Sequence, residues 1–483
     1  MGVSILQTAA FINGEFSESE TGESFPVFNP ANGKEITRVA DCSARDAERA
    51  IDAAAAAFKG WAHETADVRA AVLKKWRSAI LEREEDLAAL LSTEMGKPMA
   101  EALGEIRYGA SYVEWFAEEA RRVYGEVIPN ASPSARTIVL KQPVGVCAAI
   151  TPWNFPNAML MRKAAAALAA GCTMVAKPAE DTPLSALAVA ALAKEVGVPE
   201  GVFNVVPASK PAGVGEVLAT HPKVRKVSFT GSTGVGRLLL KQASATVKKA
   251  SMELGGNAPF IVFKDADFDA AIDGVMASKY RNGGQTCVCA NRIFVHDSIV
   301  AEFSKKLAER VKNLRVGAGN ETGVDIGPLI NRTAIEKVER LVDNAVKDGA
   351  KCIVGGSRHE AGELFFQPTV LTDVLNQSEI AQSEIFGPVA TIIPFSTEDE
   401  AIQYANETIY GLAAYIYTRD LGRAWRVGEA LEYGMVGVNE GVISSAAAPF
   451  GGVKQSGMGR EGSKYGIDDY LEIKYLCMGG LDR

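Results

Sequence analysis

Apolar positions recur at helical spacing from about residue 45 onward, and residues 45–58, 67–94 and 97–124 predict amphipathic helices, the second stopped by Gly96 and Pro98. The pattern then changes. Short apolar bursts at 145–151, 173–177, 203–206 and 226–230 predict strands, with helix-forming stretches such as 182–196 between them. The small-residue run 164–176, bracketed by Lys163 and Lys177, falls short of the roughly 20 residues that a bilayer span needs. It predicts a buried helix followed by a strand. A second series of strands follows Gly255, at 260–263, 292–296, 351–354, 391–395 and 436–440. Strand–helix alternation with no fixed repeat and no low-complexity linker predicts two α/β domains sharing a close interface. Residues 134–142 and 470–477 also read as strands but fit neither series. They either finish the edges of these sheets or form a small protruding sheet that pairs subunits, and the second use is the one expected.

Composition narrows the function classes. With 483 residues, 47% hydrophobic and 23% charged, the chain builds more than one core and is neither disordered nor fibrous. Lys+Arg number 51 against 59 Asp+Glu, a net charge of -8, which argues against nucleic acid as a partner. Four histidines, none at metal-ligand spacing, and seven cysteines without a CxxC predict no metal site. An odd, sparse set of cysteines suits a reducing compartment, so the cytoplasm is expected. The segment MGVSILQTAAFINGEF has neither the basic start of a secretory signal nor the arginines of a transit peptide, and no membrane association is expected.

Four motifs carry candidate chemistry. In KVSFTGSTGVGR (226–237) a strand runs into a Gly-rich turn and a helix, with Gly231 and Gly236 at the first and third positions of a dinucleotide fingerprint and Thr233 at the middle one. This is either a phosphate site or a tight turn, and the spacing rule would hand the ribose to Glu253. In NGGQTCVCANR (282–292), Cys287 follows a polar, Gly-rich approach. With no histidine near it in sequence, a nucleophilic thiol there calls for a carboxylate base; the competing use is structural packing. Asn154, between the prolines of TPWNFP (151–156), could cap its own turn or offer an amide N–H to an oxyanion. Glu253 in SMELGGNAP (251–259) precedes a Gly-Gly pair that permits close approach of a ligand.

Together, PWNFP (152–156), KPAE (177–180), FTGSTGVG (229–236), ELGG (253–256), GQTC (284–287), EIFGP (384–388) and PFGG (449–452) resemble, in order and spacing, the aldehyde dehydrogenase superfamily. The resemblance covers essentially the whole chain and is closest to succinate-semialdehyde dehydrogenases. It implies a Rossmann-type cofactor domain over 1–125 and 144–252, an α/β catalytic domain over 253–455, and a small β oligomerisation segment from 126–143 and 456–483. A homodimer or homotetramer would follow. Cys287 is then the nucleophile, Glu253 the general base rather than a ribose ligand, and Asn154 with the Cys287 N–H the oxyanion hole. Trp153, Lys177, Glu180, Gly231, Ser232, Gly236, Leu254, Glu384 and Phe386 would bind the cofactor. Glu180 accepts ribose hydroxyls and repels a 2′-phosphate, which favours NAD, with NADP as the alternative. Arg162, Arg281 and Ser445 would hold the far carboxylate of the substrate, with Ser444 adjacent and Phe450 a wall of the site. Cys289 matches a cysteine that pairs with the nucleophile in some relatives and is expected to form a redox switch with Cys287. Glutarate semialdehyde, one methylene longer, is the alternative substrate, discriminated by only about 1–3 kcal/mol. A cofactor-independent cysteine hydrolase or acyltransferase and a catalytically silent member of the fold are the readings of other classes.

Overall fold

A computed structural model describes residues 4–482. The first three residues of the N-terminal segment read for a targeting signal lie outside that range. Five parallel strands, Lys249–Glu253, Val224–Thr230, Val146–Ile150, Thr173–Lys177 and Phe203–Val205 in spatial order, form the centre of an eight-stranded sheet. Antiparallel strands close both its edges: Gly457–Met458 beside Lys249–Glu253, and Ala10–Ile12 with Glu15–Ser17 beyond Phe203–Val205. The helices Ala158–Ala170 and Pro183–Glu195 are buried along nearly their full length, which explains their alanine content: small side chains let a helix approach the sheet on one side and other helices on the next. Gly171, left-handed at φ 94°, ends the first of them and lets the chain turn directly into the strand at Thr173.

Strand order reverses between Val146–Ile150 and Val224–Thr230, because the chain winds outward through Thr173–Lys177 and Phe203–Val205 before crossing back. Ligand crevices of parallel α/β sheets open at the carboxyl ends of the strands flanking such a reversal. Six parallel strands and one antiparallel edge strand make the second sheet, in the order Lys351–Val354, Thr369–Thr372, Val389–Phe395, Ala290–His296, Ala258–Val262, Ala413–Tyr417, Met435–Val438. The loops that lead into three of its strands, at 254–257, 281–289 and 384–388, face the crevice of the first sheet.

The two orphan segments pair with each other. Arg136–Pro143 and Leu471–Met478 form an antiparallel ladder running from Leu471↔Pro143 to Met478↔Arg136, and Glu126–Ile128 joins as a third strand. This sheet leaves Tyr124, Val127, Ile473 and Tyr475 exposed. Residues 457–470, by contrast, run back along the first sheet and reach the crevice.

Several elements differ from expectation. The helix expected over 67–94 is two, Ala66–Glu82 and Glu84–Met95, because Arg83 leaves helical geometry at φ -116°, ψ 21°. No proline or glycine marks that break. The strands Ala10–Ile12, Ser24–Phe28, Glu35–Ala40, Thr369–Thr372 and Ala413–Tyr417 were too short or too plain in pattern to stand out. Among the described residues no helix is long and apolar enough to cross a membrane, and no cluster of His, Cys, Asp and Glu could hold a metal ion.

Candidate active site

A cavity of about 760 Å³ opens where the two sheets meet. Of the residues singled out from sequence, Trp153, Asn154, Arg162, Gly231, Ser232, Leu254, Arg281, Cys287, Glu384, Phe386 and Phe450 line it. Lys177, Glu180, Gly236, Glu253, Cys289 and Ser445 lie outside the lining.

The loop carrying Cys287 is shaped by three consecutive left-handed residues, Asn282 (φ 52°), Gly283 (φ 59°) and Gly284 (φ 77°). Only Asn and Gly take that conformation readily, and a Cβ on Gly284 would lie 2.1 Å from the Gly387 carbonyl oxygen. Cys289 N–H donates to Thr286 O at 3.1 Å, so the chain turns tightly at Cys287. Gly256 packs under this turn, where a Cβ would sit 2.1 Å from Cys287 O, which accounts for the second glycine of ELGG. The Cys287 thiol is half-buried; burial pushes it up to about 12, helped by the Glu384 and Glu253 charges and opposed by Arg162 and Arg281. Cys289 is buried, unpaired, and donates to Lys279 O at 3.4 Å.

Asn154 is tied on both sides. Its carbonyl accepts from Lys97 Nζ at 2.8 Å and from Asn282 Nδ2 at 3.0 Å, while its own Nδ2 donates to Gln285 O at 2.9 Å. One amide hydrogen of Asn154 is thereby used, leaving the other for the cavity.

Glu253 ends its strand opposite Thr230, and its backbone carbonyl accepts the N–H of Gly231, so the Gly-rich turn and this carboxylate share one ladder. The side chain is buried just behind the cavity wall, where a Cβ on Gly451 would lie 2.9 Å from Oε1. Among the described residues neither carboxylate oxygen has a hydrogen-bond partner. Burial, then the neighbouring Glu461, hold its pKa well above the usual carboxylate range, against the pull of Arg162, Lys163 and Arg460.

The cofactor side is built from the first sheet. Ser232 caps the helix Thr233–Ala243 by accepting the Val235 N–H, which leaves its own O–H and the helix N-terminus facing the cavity. A Cβ on Gly236 would meet Leu254 Cδ2 at 2.4 Å, so the third glycine serves close packing of helix against loop. Glu384 Oε1 accepts the Gly256 N–H at 2.9 Å, and burial raises this carboxyl to about 7. Phe386, left-handed at φ 60°, packs edge-on against Trp153 in the cavity wall, with ring centroids 5.5 Å apart. Lys177 is buried and donates to Glu180 at 3.0 Å. Glu180 lies on a neighbouring depression that shares Ile330 and Asn331 with the main cavity. The strand–turn–helix, the two close glycine contacts and the apolar wall formed by Trp153 and Phe386 suit a dinucleotide.

At the other end the two arginines differ. Arg162 is buried, donates through Nε to Glu461, and lies over the Phe450 ring at 4.1 Å, while its two terminal nitrogens have no partner. Lys163 donates to the second oxygen of Glu461, and these two cations hold Glu461 below the usual range although burial pushes it up. Arg281 is half-buried, makes no salt bridge, and has Glu101 nearby as counter-charge. Ser444, not Ser445, faces the cavity; Ser445 is exposed and its hydroxyl accepts the Ala447 N–H. Tyr108, Glu105, Lys97, Lys163 and Glu461 escaped sequence reading. Only Lys163 carried a signal, its place beside Arg162.

Residues 16–476 match the aldehyde dehydrogenase family, and the chain belongs to that family, whose members use NAD(P). It is 58% identical over 480 residues to 3-sulfolactaldehyde dehydrogenase of Pseudomonas putida, with 99% of each chain covered. It is 55% identical over 475 residues to succinate-semialdehyde dehydrogenase [NADP(+)] of Escherichia coli (strain K12), with 98% of each covered. The crystal structure of betaine aldehyde dehydrogenase from Staphylococcus aureus in complex with NAD+ superposes with a TM-score of 0.96 at 39% identity, over 98% of this chain and 95% of that one.

Proposed function

We propose that this aldehyde dehydrogenase oxidises a short aldehyde bearing an anion at its far end, with succinate semialdehyde as the substrate. The observation that carries the reading is that Cys287, Asn154 and two arginines line one cavity, with both guanidiniums close enough to act on the thiol electrostatically. Cys287 sulfur adds to the aldehyde carbon, and the oxyanion that forms is held by the free amide N–H of Asn154 and the Cys287 backbone N–H. Trp153, Glu384, Phe386 and the Gly231–Ser232 turn would hold NAD(P), which when bound would accept the hydride, and a thioester would remain on Cys287. Glu253 then takes a proton from the water that hydrolyses the thioester, turning its unpartnered carboxylate toward the cavity to do so. Arg281 and the terminal nitrogens of Arg162 hold the far anion, with Ser444 taking the place expected of Ser445.

A sulfonate end is the second reading, favoured by the 58% identity to 3-sulfolactaldehyde dehydrogenase, since guanidiniums hold sulfonate and carboxylate alike. Glutarate semialdehyde is the third. NAD is preferred over NADP because Glu180 opposes a 2′-phosphate. The exposed three-stranded sheet pairs subunits into a dimer or tetramer, and seven unpaired cysteines suit the cytoplasm. The assay presents succinate semialdehyde, glutarate semialdehyde, 3-sulfolactaldehyde and a neutral aldehyde of matched length, each with NAD and with NADP, and follows the reduced nicotinamide. Turnover of the anionic aldehydes, lost in Cys287→Ala, is expected; equal kcat/KM for the neutral one removes the anion reading.

Cys289 gives the site a reversible off-switch: peroxide oxidises the two thiols to a disulfide and is itself reduced to water. The tight turn at 286–289 supports it, since extended residues two apart would hold their Cα atoms beyond disulfide reach. Cys289→Ala should lose dithiothreitol-reversible inactivation; unchanged reversibility overturns the switch.

A further inference from the structure

Lys97 and Glu105 are buried, ion-paired at 2.6 Å, and have no part in the chemistry described above. A buried ion pair is poor evidence for stability, because desolvation offsets much of its attraction. Its use here lies in what else the two groups touch. Lys97 Nζ also donates to the Asn154 carbonyl at 2.8 Å and sits over the Phe155 ring at 3.8 Å. Glu105 Oε1 accepts the backbone N–H groups of Asn157 at 2.9 Å and Ala158 at 3.2 Å, at the start of the helix Ala158–Ala170. The turn from Asn154 to Asn157 is thus held at its first carbonyl by one partner and at its last N–H by the other.

The backbone of the lysine is itself held from two sides, by the helix Glu84–Met95 and by the segment 319–327. Its carbonyl accepts from Ser92 Oγ at 2.7 Å. A Cβ on Gly319 would come within 2.3 Å of that carbonyl, and one on Gly327 within 2.1 Å of the carbonyl of Gly96. Asn282, on the nucleophile loop, donates to the same Asn154 carbonyl. The Asn154 backbone carbonyl is therefore where the loop bearing Cys287, through Asn282, meets Lys97, whose own backbone is packed against the segment 319–327.

We propose that the Lys97–Glu105 pair is a positioning device for the oxyanion amide of Asn154, so that Lys97 acts on the reaction through Asn154 and not on substrate. The inference rests on the reading of Asn154 as oxyanion donor. An error of about 1 Å in a reacting group costs on the order of 10²-fold in rate, so loss of the lysine is expected to be visible in kcat.

The test is a cycle of Lys97→Met, Asn154→Ala and the double variant in the full chain, with kcat and KM measured for succinate semialdehyde and affinity measured for NAD(P). Lys97→Met should lower kcat about 10²-fold in the parent and less than about twofold on the Asn154→Ala background, with KM and cofactor affinity nearly unchanged. An equal fall on both backgrounds, or no fall in the parent, overturns the inference. If Asn154→Ala itself leaves kcat intact, the oxyanion reading falls first and the inference with it. Should Lys97→Met fail to fold, Lys97→Met combined with Glu105→Gln removes both charges, keeps an acceptor for the Asn157 and Ala158 N–H groups, and enters the same cycle.

Discussion

The turn of Asn154 and the pair Cys287 and Glu253 serve one cavity and are built in contrary ways. Asn154 itself is tethered: two donors on its backbone carbonyl, one acceptor for a hydrogen of its side-chain amide, and an ion pair behind them. Around Glu253 both oxygens lack a partner, and among the described residues no hydrogen bond holds the Cys287 thiol. The difference follows from the work each must do. A group that stabilises charge by standing at a fixed point gains from every tether, since preorganisation removes the cost of orienting it during the reaction. A nucleophile and a base must change protonation state, and a hydrogen bond to either form would bias that change.

The contrast breaks most sharply at the thiol. Cys287→Ser keeps shape and polarity but replaces a polarisable nucleophile with a hydroxyl that no adjacent base activates. Turnover should fall by about 10⁴-fold or more, the scale seen when a covalent nucleophile is removed. Cofactor affinity, measured by calorimetry, should stay within about twofold, because the residues facing the dinucleotide are untouched. Retained turnover would mean that the chemistry does not pass through Cys287.

Next comes the base. Glu253→Gln should slow thioester hydrolysis by about 10²–10⁴-fold while leaving acylation, so one equivalent of reduced cofactor forms per site and the enzyme gains the acyl mass. The parent's pH dependence has a definite sign. Burial raises both the Glu253 carboxyl and the Cys287 thiol, so the active, deprotonated forms increase as pH rises through values above the usual carboxylate range, and activity climbs on the alkaline side. In Glu253→Gln the limb that remains belongs to the thiol, and alkylation of Cys287 followed against pH should reproduce it. A hydrolysis profile unchanged by the substitution would show that another group takes the proton.

Much of this site was legible in the chain because its parts sit in local motifs. The polar, Gly-rich approach to Cys287 is a loop, left-handed at 282–284, and the Gly-rich turn does open a helix at Thr233. What stayed hidden depends on distance or on loop register. Glu461 meets Arg162 across 299 residues and Lys163 across 298, a pairing that no spacing rule reaches. Ser444 and Ser445 are chemically identical, and only the packing of their loop decides which one faces the cavity. The helix break at Arg83 carries no glycine, proline or side-chain cap to announce it, only the acidic first turn Glu84–Asp86 of the helix that follows.

The arginines repeat the contrast between tied and free groups at smaller scale. Among the described residues Arg281 has no ion pair, so in the role proposed for it Arg281→Ala removes the substrate contact and a stacking contact with Phe155 without breaking a salt bridge. It should raise KM for succinate semialdehyde by about 10–100-fold, the worth of a charge-assisted hydrogen bond, and leave a neutral aldehyde nearly unaffected. Arg162→Ala should do the same and in addition disturb Glu461 and Lys163, leaving Glu461 with one cation in place of two. Its effect therefore extends to kcat and to thermal stability, where that of Arg281→Ala does not. Identical consequences for the two variants would erase the distinction.

The smallest effect is expected at Glu180, where the tether is weakest. Its side chain is 42% exposed and, among the described residues, held only by Lys177 at 3.0 Å. A carboxylate so open to water repels a 2′-phosphate through a high dielectric, where one like-charge contact at about 4 Å changes affinity roughly fivefold. Glu180→Gln keeps an acceptor for the ribose hydroxyls and removes the charge. The ratio of kcat/KM for NAD to that for NADP should thus fall by about fivefold, and added salt should shrink the parent's preference in the same direction. A ratio that does not move in Glu180→Gln would assign cofactor choice to the shape of the depression around Glu180 rather than to its charge.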